Sequence, residues 1–135
     1  MTDDARVPFE EVQTAVYTLL NGSITGGLYD EVPPSATFPY TTFGEPSDGP
    51  FEARGVKGRM VVFPFKIHSR DAGGKYQCFQ IMNKIVELMT KGKLSMTNWA
   101  EVWKTYRIGN VWRVEQEPGE AYQGGVVFMI AVCRK

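Results

Sequence analysis

The sequence predicts an α+β domain: a mainly antiparallel β-sheet with two α-helices packed on one face, and a long loop or hairpin between its second and third strands. Three observations lead there. Two segments repeat apolar residues at three- and four-residue steps, the period of a helix. Several others alternate apolar and polar residues or run apolar throughout, as strands do. The segments also follow the order helix, two strands, long loop, strand, helix, three strands. With 135 residues the chain fits one domain, 1–135, and a domain of that size buries roughly two-thirds of the surface its unfolded chain exposes.

Each element has a local reason. Pro8 can open the first helix, because an early helical position needs no N–H. Phe9, Val12, Val16, Leu19 and Leu20 follow at helical spacing, with Glu10 and Glu11 in the first turn, where negative charge suits the helix dipole. Asn21-Gly22 ends it. Leu28–Val32 is read as a short strand stopped by Pro33-Pro34, and Phe38–Gly44 as the next. Pro39 cannot donate to a ladder, which puts the start of that strand on an edge or beside a bulge. Residues 45–58, "EPSDGPFEARGVKG", form a long loop or a loose hairpin. Arg59–Ser69 is a strand with Val61, Phe63, Phe65 and Ile67 on one face and Val62, Lys66 and His68 on the other. Pro64 again implies a bulge or an edge.

"DAGG" is a turn, and a second helix covers Lys75–Lys91. Its stripe is Cys78, Met82, Ile85 and Met89, widened by Phe79, Ile81, Val86 and Leu88, and Gly92 stops it. Strands follow at Trp99–Ile108, Val111–Glu117 and Gly124–Cys133, with "EPGEAYQGG" as a hairpin link between the last two. The last strand, "VVFMIAV", is apolar on both faces, so a second layer or a neighbouring subunit must cover the side that the helices leave.

Charge is segregated along the chain although it sums to zero. Residues 1–52 hold nine acids and one base, and residues 53–110 hold eleven bases and three acids. Mixing of both halves over one surface is the simpler reading. The sharper one is a molecule with an acidic and a basic side, suited to stacking head-to-tail on copies of itself. There is no overall basic excess of the kind nucleic-acid binders carry. No apolar run approaches the roughly 20 residues that cross a bilayer, and the acidic N-terminus has no apolar signal region. Cys78 and Cys133 match no metal or redox spacing and read as buried thiols made in a reducing cytoplasm.

Catalytic, metal and cofactor patterns are missing. His68 is the one histidine and has no carboxylates clustered near it in sequence; a nucleophile elbow, a P-loop and a dinucleotide fingerprint are all lacking. Asp30-Glu31, as strand neighbours, point to opposite faces and cannot cooperate simply. Trp99, Trp103 and Trp112 with Tyr106 suggest either a stacking platform for single strands or packing, Trp99 and Trp103 sharing strand parity. Core or interface packing is the commoner use of such rings.

Three stretches in order give a resemblance: the N-terminal helix with "LYDEVPPSATFPYTTFGE"; "FPFKIHSRDAGGKYQCFQIMNKIVELM"; and the closing hairpin with "YQGGVVFMIAV". From about residue 9 to 133 the chain resembles the tail-completion, or tail-terminator, family of long-tailed bacteriophages. The tryptophan-rich "NWAEVWKTYRIGNVW" matches no motif of that family. The resemblance implies a structural protein without catalysis or cofactor. Such proteins form rings, commonly hexameric, that cap the finished tail tube, stop its polymerisation and offer a surface for joining the head. Its partners are then other copies of itself, the tail tube protein and the head–tail connector protein. DNA would pass through the lumen without sequence recognition, and no membrane is involved. The place is the head-proximal end of the virion tail, after assembly in the host cytoplasm. The segment with Glu45, Asp48, Phe51, Arg54, Lys57 and Arg59 is the expected contact with the tube or the adjacent subunit. The alternatives are another head–tail joining or neck protein, and a small-ligand-binding or enzymatic α+β domain with an apolar pocket between helices and sheet.

Overall fold

A computed structural model describes residues 8–53, 56–70, 74–115 and 120–135. In chain order these form α1 (Phe9–Leu20), β1 (Leu28–Tyr29), β2 (Tyr40–Phe43), β3 (Ser47–Ala53), β4 (Val56–Arg70), α2 (Gly74–Lys91), β5 (Trp99–Glu115) and β6 (Glu120–Arg134). The strands make one six-stranded sheet in the order β1-β2-β4-β6-β5, with β3 also paired to β4. Every pairing is antiparallel except β1 with β2. The expected class is therefore the observed one.

Pro8 stands just before α1, and its carbonyl accepts the Val12 N–H at 2.9 Å. Val12, Ala15, Val16 and Leu20 form the buried stripe. At Asn21 the backbone turns extended, and the Asn21 Oδ1 accepts the Leu28 N–H at 3.1 Å, which folds the chain back into β1. The turn between them runs through Gly22, Gly26 and Gly27 at φ of 87°, 84° and 79°. At Gly26 any Cβ would lie 1.8 Å from the Pro39 carbonyl oxygen, so the start of β1 and the start of β2 approach as closely as they do because that residue is glycine.

Several boundaries differ from expectation. β1 has two residues rather than five, because Asp30–Ala36 leave the sheet at the double proline. Asp30 and Glu31 are thus exposed loop residues, not strand neighbours. Pro39, joined to Phe38 by a cis peptide, falls outside β2 and needs no place in a ladder. Residues 45–58 are the hairpin of the two alternatives: β3 pairs with β4 from Ser47↔Val62 to Ala53↔Val56. β2 and β3 thus lie end to end along one side of β4. Between Phe43↔Phe65 and Ser47↔Val62 they carry residues 44–46 against 63–64, one residue in excess. Pro64 sits at this irregularity. Its carbonyl accepts the Gly44 N–H at 2.7 Å, and a strand residue's N and O point the same way, so its missing donor faces a break where no ladder bond is lost.

The expected strands Trp99–Ile108 and Val111–Glu117 are one strand, β5. Gly109-Asn110, between the two expected strands, is a bulge within one strand: Ile108 pairs with Val126 and Val111 with Gly124, three steps against two. A second shift lies between Glu101↔Val132 and Trp103↔Ala131. β6 starts at Glu120 rather than Gly124. The "DAGG" turn from Asp71 to Gly73 lies outside the described residues. On α2, Phe79 is 48% exposed and so is not part of the apolar stripe, whereas Cys78, Ile81, Met82, Ile85 and Met89 are buried. Cys133 is only partly buried, unlike Cys78.

Residues 92–98 link α2 to β5 without regular structure and are tied down by side chains. Glu11 of α1 accepts the Asn98 N–H at 2.8 Å and its Nδ2 at 2.7 Å. Glu101 accepts the Leu94 N–H at 3.0 Å. Lys104 donates to the Gly92 carbonyl at 3.0 Å and meets Glu101 at 2.6 Å, in a pair whose side chains are 6% and 9% exposed. Removing one member of such a pair strands the other charge in the interior. We expect Lys104→Met to cost about 3–5 kcal/mol by urea denaturation, and Glu101→Gln with Lys104→Met together to cost clearly less. A single variant as stable as the parent would contradict the buried pair.

Candidate interaction surfaces

Residues directly opposite in paired strands share a face of the sheet. On one face Val61, Phe63, Phe65 and Ile67 of β4 stand opposite Ile130, Phe128, Val126 and Gly124 of β6. All of these apolar side chains are buried. Both helices pack here, with the Phe9 ring edge-on to Phe63 at 6.3 Å and Cys78, Met82, Ile85 and Met89 in the same core. On the other face Met60, Val62 and Pro64 stand opposite Ala131, Met129 and Val127. Apart from the buried Ala131, these are half-buried, and neither helix lies over them. The two-sided apolar character of β6 thus has a cause on one side only.

At the far end of this open face lies His68. The Tyr40 ring stacks on it at 4.9 Å; Tyr40 in turn meets Phe38 at 5.1 Å and Tyr29 at 6.1 Å, and the Arg70 guanidinium lies over Phe38 at 5.4 Å. Gln123 Nε2 sits 3.4 Å from Nδ1 and Thr42 Oγ1 sits 3.2 Å from Nε2. An amide nitrogen can only donate, so Nδ1 accepts and Nε2–H donates to Thr42, which specifies the neutral ring. Burial first, then the Lys66 charge, pushes the His68 pKa below its ordinary value. His68 is a bracing residue between β2, β4 and β6.

The six residues expected to form the contact divide. Asp48 and Arg59 meet each other: Oδ2 accepts from both Nε and Nη2 at 2.7 Å. Their first role is to staple β3 to β4. Glu45 is exposed just before β3. Phe51 and Lys57 are placed by strand register, opposite Gly58 and Glu52. Arg54 lies outside the described residues. One hairpin therefore gathers Asp48, Phe51, Lys57 and Arg59, with Glu45 at its base.

The tryptophan expectation needs correction. Trp99 and Trp103 share parity by count, but the bulge between Glu101 and Trp103 inserts one residue and reverses it. Trp99 is 3% exposed, under Arg134, and Trp103 is 39% exposed. Trp112 is placed by register, opposite Gln123. Trp99 and Trp103 lie on opposite faces of the sheet. What the sequence reading missed is the exposed apolar margin of β5: Val102, Trp103, Tyr106 and Ile108 are four of the eight large exposed apolar residues of the described chain, with Trp103 on the open face and Tyr106 and Ile108 on the helix side. Their signal was present as an apolar strand at a sheet margin, but which strand is marginal follows only from the topology.

A groove of about 470 Å³ runs between α1 and the β1–β2 margin, lined by Phe9, Gln13, Tyr17, Asp30 and Phe43 among others. Among the described residues no three His, Cys, Asp or Glu side chains converge as metal ligands. The described chain thus has one sealed face, one open apolar face, one hairpin and one exposed edge.

The comparisons with known proteins agree. The family model "Tail completion protein gp17" matches residues 12–132, and the chain belongs to that family. It is a virion structural protein of the phage-tail type and not an enzyme. Comparison with curated proteins gave no match. Among solved structures, a chain from "Virion of native gene transfer agent (GTA) particle" superposes with a TM-score of 0.78 at 19% identity, over 97% of this chain and 100% of that one, which shows a shared fold.

The His68 arrangement has a pH consequence. Its folded-state pKa is below the unfolded value, so its neutral-form contribution is fully present above about pH 6.5 and is lost as pH falls through the folded value. As the chain has one histidine, denaturant midpoints should fall between about pH 7 and pH 5, and His68→Gln should flatten that slope. An unchanged slope in the variant would contradict the neutral, braced ring.

Proposed function

We propose that this chain completes the phage tail as a ring of copies, six by resemblance to its family, which caps the tail tube, stops its polymerisation and presents the surface that the head joins. The observation that carries this reading is the one-sided sheet of a tail-completion protein. Its helices seal one face and leave Met60, Val62, Val127 and Met129 partly exposed on the other. A surface of that kind is stable in water when a protein partner covers it. The tail tube protein and the head–tail connector protein are the partners, at the head-proximal end of the tail, after assembly in the host cytoplasm. DNA passes the ring without being read.

The β3–β4 hairpin supports the same reading as the element offered to the tube or the neighbouring copy. Because Arg59 is engaged by Asp48 inside the hairpin, Arg54 and Lys57 are the cations to test. Neutralising Arg54 and Lys57 should reduce particle assembly while leaving the thermal midpoint unchanged. Arg59→Gln should lower both. Normal assembly by the Arg54/Lys57 double variant removes the hairpin cations from the contact.

Electron microscopy of particles made without this protein tests the function itself. Overlong, headless tails are expected. Tails of normal length that lack only heads would favour a joining protein that acts after termination.

A further inference from the structure

The two margins of the sheet are chemically opposite. The β1–β3 margin, residues 28–53, contains five acids and no base. Of these Asp30, Glu31, Glu45 and Glu52 are exposed; Asp48 is paired with Arg59, and Glu52 stands opposite Lys57 in the hairpin. Pro46 stands just before β3 and Pro50 within it. Prolines remove N–H donors from a strand edge but leave its carbonyls.

The β5 margin reverses each property. Its 17 residues include no proline, and its one neighbour is β6. Between the two bulges the register is regular from Trp103↔Ala131 to Ile108↔Val126. In that run alternate residues aim their N–H and C=O groups away from β6. Trp103, Tyr106 and Ile108 are 39%, 41% and 49% exposed, and Arg107 is exposed between them. Lys104 is held inside by Glu101, so Arg107 is the cation this run presents. Soluble proteins usually blunt such an edge with charge or proline.

We propose that the β5 edge of one copy docks on the acidic β1–β3 margin of the next, Arg107 facing Glu45, with the apolar residues of β5 buried between them. This rests on the ring reading above and assigns its subunit contact. The β5 edge brings a cation and the other margin an excess of acids, which is a complementary rather than a self-complementary pair. Because the two margins lie at opposite ends of one sheet, the contact is heterologous, and heterologous contacts generate rings when the rotation closes. The charge patterning also disfavours the reverse joint, acidic margin to acidic margin, by like-charge repulsion.

Sedimentation velocity of the full-length chain, alone and with purified tail tubes as a template, tests this by charge exchange. Arg107→Glu and Glu45→Lys should each lose about tenfold or more of the assembled species, with unchanged circular dichroism melts. Both substitutions in one chain should restore assembly. Cysteines at Ile108 and Glu45, in a Cys133→Ser background, should cross-link copy to copy, while cysteine at Ile108 alone should not. Full assembly by both charge variants, or an Ile108–Ile108 cross-link indicating two β5 edges face to face, would overturn the contact and leave the ring intact. A parent chain that stays monomeric even on tube ends would overturn both the ring and the contact.

Discussion

The pairing of β4 with β6 is the constraint from which the rest of the molecule follows. It runs unbroken from Gly58↔Cys133 to Arg70↔Ala121. Side chains alternate along it, so its register decides every residue's environment at once. Odd-numbered residues of β4 and even-numbered residues of β6 enter the helix-covered core, and the remainder face outward. A slip of one residue would put Phe63, Phe65 and Phe128 into solvent, where each would lose roughly 1.5–3 kcal/mol of burial. That fixed register also leaves Met60, Val62, Pro64, Val127 and Met129 together on the uncovered side. The helix layer and the open face are two results of one pairing.

Around this spine, irregularities place the surfaces. The extra residue opposite Pro64 lets β2 end and β3 begin along one side of β4, which frees the β3–β4 hairpin from the helix layer. The two bulges of β5 isolate a regular run between them and turn Trp103 outward while Trp99 stays in the core. Sequestering Lys104 with Glu101 leaves Arg107 as the charge on that run. Each irregularity is local, yet each sets what a partner meets.

Much of this was legible in the sequence. The stripe Val12, Val16, Leu20 specified α1, the stripe Cys78, Met82, Ile85, Met89 specified α2, and the alternation of Val61, Phe63, Phe65, Ile67 specified the buried face of β4. The acidic and basic segments were legible as composition, and the ordered motifs carried the family resemblance. Bulges were not legible. Gly109-Asn110 has turn chemistry, and only pairing with Val126 and Gly124 converts it into a bulge. The parity of Trp99 and Trp103 failed for the same reason, because counting by twos assumes that no residue is inserted. Phe79 fits a widened stripe by spacing, yet it is 48% exposed on α2. Of the expected contact residues, the pairing of Asp48 with Arg59 depended on the hairpin register, which composition does not encode.

The proposed function requires that a partner cover the open apolar face in the assembled virion. Oxidative footprinting of the methionines measures this directly, comparing the free chain with intact particles. Met82, Met89 and Met96 are buried within the chain and serve as internal references. Met60 and Met129 should oxidise readily in the free chain and become protected in particles; equal oxidation of Met60 and Met129 in both states would contradict a covered face.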